Sequence, residues 1–384
     1  MLEQILIWAT IIGGLAAVGY FLEKLHKKWH RFKQRQQTQR TQPLTNAIPI
    51  EQPQDWVALN SSFYIERPPT ESDSYQEIIK PGALIHIQAP HYFGKTSLMK
   101  RILQQADNNG HRTVSLSFRQ ADKAVFTDLD SLLQWFCSSV TEACDLSTQV
   151  ADYWQQGILG GTNRCTKYFQ KHILAEINGP LTLGLDDVDK VFKYPYIVEY
   201  FLGMLRVWHD RGQQQAHWQT LQLIIVHSQE YTPSNINRSP FNVGLPIKLA
   251  DLTLAQVQDL SQRHGLAWNT KPVKQLMAMV GGHPYLLRLA LYPIARQRIT
   301  LDKLLQIAPT EEGPYYDHLY RLLLILKDAK LENVMKQIAT AEQPIEISAE
   351  HKSKLHSFGL IEFHDNTVRP RCNLYRHYFS TRQL

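Results

Sequence analysis

Ala89-Pro90-His91-Tyr92-Phe93-Gly94-Lys95-Thr96 follows the apolar run Ala83 to Ile87 and precedes Ser97-Leu98-Met99-Lys100-Arg101-Ile102-Leu103, which has helical spacing. A strand feeding a Gly-Lys-Thr helix start aims backbone N–H groups and the positive end of the helix dipole at one point, which suits the phosphates of a nucleotide. In such a loop Lys95 reaches the β- and γ-phosphates and the Thr96 hydroxyl ligates Mg²⁺. Ala89, Gly94 and Ser97 are its further candidate contacts. Ala89 stands where the motif has its first glycine.

A second motif supports the first. Leu181 to Asp189 reads Leu-Thr-Leu-Gly-Leu-Asp-Asp-Val-Asp, a short apolar strand ending in adjacent carboxylates. Buried strands carry charge at their C-terminal ends, the edge where parallel α/β sheets gather ligands. Read as a Walker B strand, it assigns Asp186 to Mg²⁺ through water and Asp187 to orienting or deprotonating the attacking water. Aspartate at the second position is one methylene shorter than glutamate, which points to slow hydrolysis.

Around these motifs, short apolar strands alternate with helical periods, the pattern of an open, mostly parallel sheet with helices on both faces. The strands are expected at 84–88, 113–118, 181–185, 221–226 and 246–249. Helices are expected at 98–105, 129–141, 165–177 and 196–208. The 221–226 strand belongs between the two phosphate-facing strands of an additional-strand ATPase sheet. Its polar end offers Ser228 as the first candidate to sense a γ-phosphate, His227 as the second, and Glu230 as a water-polarising group. Arg238, in the following loop, is a candidate arginine finger for a ring assembly.

The chain has 384 residues and a net charge of +6, with a pI near 9.0. Glu23 to Arg40 holds seven basic residues against one acidic, leaving 34 of each in the remainder, so the body is neutral and its charge gives no argument for nucleic acid. Ile5 to Leu22 is an uncharged apolar stretch of eighteen residues. As a helix it spans about 27 Å, enough for a thin bilayer, and the basic residues that follow it place the body in the cytoplasm. Residues 38–62 are rich in Gln, Thr and Pro and read as a tether. The cysteines at 137, 144, 165 and 372 form no close pair and no metal-ligand spacing in sequence, as expected of buried thiols in a cytosolic protein.

Beyond the sheet, Leu252 to Leu305 has helical period and contains Gly281-Gly282-His283-Pro284-Tyr285-Leu286-Leu287, with Pro284 suited to a first helical turn. Together with Phe63-Tyr64-Ile65-Glu66-Arg67-Pro68, the loop at Ala89, the Asp-Asp-Val-Asp strand end and Ser239-Pro240-Phe241-Asn242-Val243-Gly244-Leu245-Pro246, this series resembles the bacterial AAA-like ATPase domain family, grouped with STAND-type signalling ATPases. The resemblance covers Phe63 to Tyr378. It implies a nucleotide-gated switch that clamps ATP or ADP between a P-loop domain, a helical lid and a winged helix. It also implies that Ile65, with Tyr64 and Arg67, flanks the adenine, and that the His283-Pro284 corner closes over the nucleotide. An Ala-Pro start to the loop is consistent with that family.

From Tyr315 three helical periods precede Leu360 to Phe363 and Thr367 to Pro370, a hairpin signal around His364-Asp365-Asn366, which in that order read as a winged helix. Residues 330–384 carry eight basic against six acidic residues, a weak footprint for DNA, so an intramolecular role is preferred. The 350–358 helix would be the recognition element in a DNA-binding alternative. The expected division is a transmembrane anchor at 1–22, a basic segment and linker at 23–62, the P-loop ATPase core at 63–250, the lid at 251–310 and the winged helix at 311–384. The expected function is a membrane-tethered, slow ATP-binding switch or scaffold working through a protein partner or self-association. The alternatives are a ring-forming remodelling ATPase and a membrane-associated DNA-binding regulator.

Overall fold

Five parallel strands lie side by side: β1 (Leu84–Gln88), β2 (Arg112–Ser117), β3 (Leu181–Asp186), β4 (Leu221–His227) and β5 (Leu245–Lys248), in the order β2-β3-β4-β1-β5. The computed structural model describes residues 50–147, 150–155, 160–231 and 238–381. Strand positions agree with the sequence expectation to within a residue, and β4 does lie between β3 and β1.

Register explains why these runs carry few polar residues. Val114, Leu183, Leu223 and Leu84 form one row across four strands, on the face covered by the helices Leu129–Ala143, Gly161–Tyr168 and Pro195–Gly212. Ile85 and Ile224 form a row on the opposite face, under the helices Thr70–Ile78 and Lys95–Asn108. The Lys95–Asn108 helix buries Leu98, Met99, Ile102, Leu103 and Ala106, the spacing of one helical face. Burying each larger side chain contributes about 1.5–3 kcal/mol. Gly184 lets this helix lie close on β3, because a Cβ there would stand 2.9 Å from Leu103 Cδ1 and 3.1 Å from Met99 Sδ.

After β5 come four helices, Leu254–Arg263, Thr270–Val280, Pro284–Ala295 and Leu301–Ile307. Three more follow at Tyr316–Asp328, Glu332–Thr340 and Ala349–Ser357, then the antiparallel hairpin of β6 (Ile361–His364) and β7 (Thr367–Pro370), and a last helix, Asn373–Thr381. One apolar cluster runs through all of these, from Phe63 and Ile65 through Leu260 and Leu286 to Leu322, Tyr375 and Phe379. A capping box between Thr253 and Gln256 starts the first of the helices.

The expected transmembrane anchor and basic segment lie outside the described residues. Among the described residues no helix is long and apolar enough to cross a membrane. The expected tether is described from Ile50 on, where it is largely exposed yet fastened to the core: Val57 N donates to Ser97 Oγ at 2.9 Å, and Arg101 donates to the carbonyls of Val57 and Ala58. Two cysteines that sequence spacing kept apart also meet, with Cys137 Sγ 3.5 Å from Cys165 Sγ, because the packed helices bring positions 28 apart into register.

Candidate functional site

β1 delivers the loop to the sheet's C-terminal edge from between β4 and β5. Gly94, at φ +91°, makes the left-handed entry into the Lys95–Asn108 helix. The loop is closed around its own lysine: Lys95 Nζ donates to the carbonyls of Ala89 at 2.8 Å and Pro90 at 2.9 Å. Arg67 Nη2 donates to Phe93 O at 2.9 Å and pins the loop from outside. Burial lowers the Lys95 ammonium to about 8, with Asp189, then Asp186 and Asp187, pulling the other way.

The loop and the β3 end meet as expected, because Thr96 Oγ1 donates to Asp186 Oδ2 at 2.6 Å. Burial, then the neighbouring Asp187 charge, raises the Asp186 carboxyl above the usual carboxylate range. Asp187 takes the left-handed φ of +57°, and its carboxylate is committed to the end of β2, accepting from Ser117 Oγ at 2.8 Å and from Arg119 Nε at 2.9 Å. Asp189 was given no role by sequence reasoning. It is buried, accepts from Ser228 N at 3.3 Å, and its charge bears on Lys95 more than that of Asp186 or Asp187. The third aspartate of Asp-Asp-Val-Asp was the available signal, but no spacing rule attaches a task to it.

Ser228 reaches the loop, with its Oγ 3.4 Å from His91 Nδ1. His227 does not. Its Nδ1 pairs with Gln229 O at 2.7 Å and its ring packs on Phe241, with burial lowering it to about 4. Arg238 pairs within the chain, with Nη1 3.4 Å from Glu199 Oε1.

Beside the loop lies a pocket of about 500 Å³, counting its open mouth. Ile65, Gly94, Ser97 and Pro284 all line it, so four of the expected contacts converge from three separate segments. Phe63, Leu252 and Leu260 add apolar wall. Ser97 lines the pocket while its hydroxyl is taken by Val57 N. Arg288 was not anticipated. It is 5% exposed, its guanidinium lies 5.3 Å from the centre of the Phe63 ring, and its Nε is buried with no partner.

The loop also packs on the later helices, in part through Tyr92 and Tyr285, which line the pocket themselves. Tyr92, at φ +66°, stacks on Tyr285 at 4.8 Å and meets His318 edge-on at 5.4 Å. Phe93 packs on His283 at 4.5 Å and lies under the Arg371 guanidinium at 4.4 Å. His283 itself caps the Pro284–Ala295 helix, which presents Pro284 and Tyr285 to the pocket.

The AAA-like domain family model matches residues 52–381. The chain belongs to the AAA-like domain family. Its fold is that of an AAA-like P-loop ATPase, similar to the Walker-type ATPase PABY2304 of Pyrococcus abyssi, with a TM-score of 0.55 and 11% identity over 82% of this chain and 96% of that one. The Aeropyrum pernix ORC2 protein, in its ADPNP-ADP complexes, gives a TM-score of 0.49 at 14% identity over 83% and 94% of the two chains. In sequence, 223 residues, 54% of this AAA-like chain, are 22% identical to an uncharacterized WD repeat-containing protein of Synechocystis sp.. The chain spans 18% of that relative's length.

The residues of this AAA-like site fit a nucleotide with Mg²⁺. The Lys95 ammonium holds only carbonyl partners of its own loop, and Arg288 leaves a buried donor free in the pocket wall. Thr96 and Asp186 would hold Mg²⁺. Among the described residues no group of three or more His, Cys, Asp or Glu side chains gathers for a metal, but Mg²⁺ characteristically takes one or two protein ligands and completes its shell with water and phosphate oxygens.

Proposed function

We propose that this chain is a STAND-type ATP- or ADP-binding switch or scaffold, tethered to a membrane by its N-terminal residues with the body facing the cytoplasm, and slow in hydrolysis. The carrying observation is the double engagement of the phosphate loop: Tyr92, Gly94 and Ser97 line the pocket, and Tyr92 and Phe93 also pack on the lid and C-terminal helices. A ligand that reshapes the loop therefore acts directly on both later parts, the coupling a nucleotide-gated switch requires. The three helices and hairpin after Tyr315 act as an intramolecular winged helix in this reading, and a protein partner or second copy senses their position. Slow turnover follows from the commitment of Asp187 to Ser117 and Arg119.

Against the ring-forming motor stands Arg238, already paired with Glu199. Against DNA binding stand Lys352, Lys354 and Arg369, which engage Asn366 O, Glu350 and Glu362 within the same unit. The deciding experiment measures nucleotide content and turnover of the purified protein. Copurified ADP or ATP with turnover below about one per minute is expected, far under the ~10 s⁻¹ of a typical enzyme. Fast, concentration-stimulated turnover would instead establish the motor.

The lysine gives this binding a pH dependence. Lys95 is charged below about 8 and neutral above it. Phosphate binds the charged form, so affinity for ADP should hold constant from neutral pH to about 8 and then fall about tenfold per unit in the alkaline direction. Titration with a fluorescent ADP across this range checks the sign, and a flat profile to strongly alkaline pH contradicts it.

A further inference from the structure

The segment just before Phe63 reads as linker, yet it makes specific contacts at the mouth of the pocket. Gln54, Asp55 and Val57 line the pocket together with Gly94, Ser97 and Tyr285. Val57 N donates to Ser97 Oγ, one residue past the Mg²⁺-assigned Thr96. Arg101, one helical turn further, donates Nη1 to Val57 O at 3.0 Å and Nη2 to Ala58 O at 2.8 Å, and its guanidinium lies 3.6 Å from the centre of the Tyr64 ring. Lys100 Nζ sits 4.3 Å over the Trp56 ring. At the far end Glu51 Oε2 accepts from Ser61 Oγ at 2.6 Å, and Glu51 O accepts from Arg288 Nη2 at 3.4 Å.

We propose that residues 51–58 are a strap forming the outer wall of the nucleotide site, clipped down by Trp56 on Lys100, so that strap docking and nucleotide retention are thermodynamically linked. The inference rests on the nucleotide reading above and deepens it by naming what regulates release. Apart from the Ser61 hydroxyl, the strap contacts given above fall on the helix that begins at Lys95 or on Arg288 of the lid, the two bodies a nucleotide would touch. Linkage is reciprocal, so whatever pulls on the chain ahead of residue 51 loosens the nucleotide, and the nucleotide holds that chain down by the same factor.

Trp56 is a positioning residue. It is 37% exposed and does not line the pocket, so its removal leaves the fold and the direct nucleotide contacts in place. The test measures dissociation of a fluorescent ADP from the full-length chain. Trp56→Ala should speed release about fivefold, the equivalent of one exposed cation–π contact, and Trp56→Phe should restore most of the retention. In the wild type, chymotryptic cleavage after Trp56 should slow when ADP saturates the site. Unchanged release from Trp56→Ala, or equally fast release from the Phe and Ala variants, overturns the strap while leaving the nucleotide reading intact. A wild-type chain that retains no fluorescent ADP overturns both.

Discussion

Lys95→Ala should lower affinity for ADP by at least about a hundredfold, since a buried ammonium donating charge-assisted hydrogen bonds to phosphate is worth about 2–3 kcal/mol or more where water is excluded. The fold should survive. Alanine is a good helix former at the first helical position, and the lost donor leaves only the Ala89 and Pro90 carbonyls to find water. The informative pair of measurements is therefore affinity by titration and Tm by calorimetry on the same preparation. Wild-type affinity in a folded Lys95→Ala variant would remove the phosphate loop from the account altogether.

Gly282→Ala should damage the lid more than its single methyl implies. A Cβ at Gly282 would stand 2.3 Å from Leu252 O, 2.7 Å from Asp251 Cβ and 2.8 Å from Leu252 N. Two of these are backbone atoms, which cannot rotate aside. Leu252 N also donates to Gly282 O at 2.8 Å, so the two segments are tied face to face. Relief requires moving the His283-Pro284 corner, at a cost of about 2–3 kcal/mol in overpacking. Because Pro284 and Tyr285 line the pocket, the same shift should weaken nucleotide binding roughly tenfold, the equivalent of about 1.4 kcal/mol. Gly203→Ala is the control, since a Cβ there meets nothing within 4 Å in the middle of an exposed helix face. A Gly282→Ala variant with the wild-type Tm and affinity would show that the corner is not held as described.

What sequence makes legible here is short-range. The strands, the loop and the β3 end each announce themselves within ten residues, by an apolar run closed by polar residues or glycine, and the structure places the strands within a residue of expectation. The lid's Gly-Gly-His-Pro corner was legible for the same reason. Asp187 was read correctly as sitting at the β3 end, but its attachment to Arg119 depends on register, with Ser117 opposite Asp186 across two strands distant in sequence. The segment at 51–58 was opaque because Gln and Pro composition describes a solvated chain, and only the arrival of Ser97, Lys100 and Arg101 from the helix makes it structural. Nothing beside Arg288 in the sequence marks it, and only its burial against the pocket wall sets it apart.

The lid and the C-terminal helices share one interior, with no seam near residue 310. Asn373 Nδ2 donates to Ala278 O at 2.8 Å and Arg371 Nη2 to Asp251 Oδ2 at 3.1 Å, so the last helix and hairpin are fastened to the lid and to the end of the sheet. The two parts should therefore unfold together, in one calorimetric transition, since they bury their apolar faces against each other. Shortening the protein at Gly313 would take His318 from Tyr92 and Tyr285 and Arg371 from Phe93, uncovering one side of three aromatic rings beside the phosphate loop. A chain shortened there should keep the apolar clusters on the two faces of the sheet while opening the lid's share of the common interior to water.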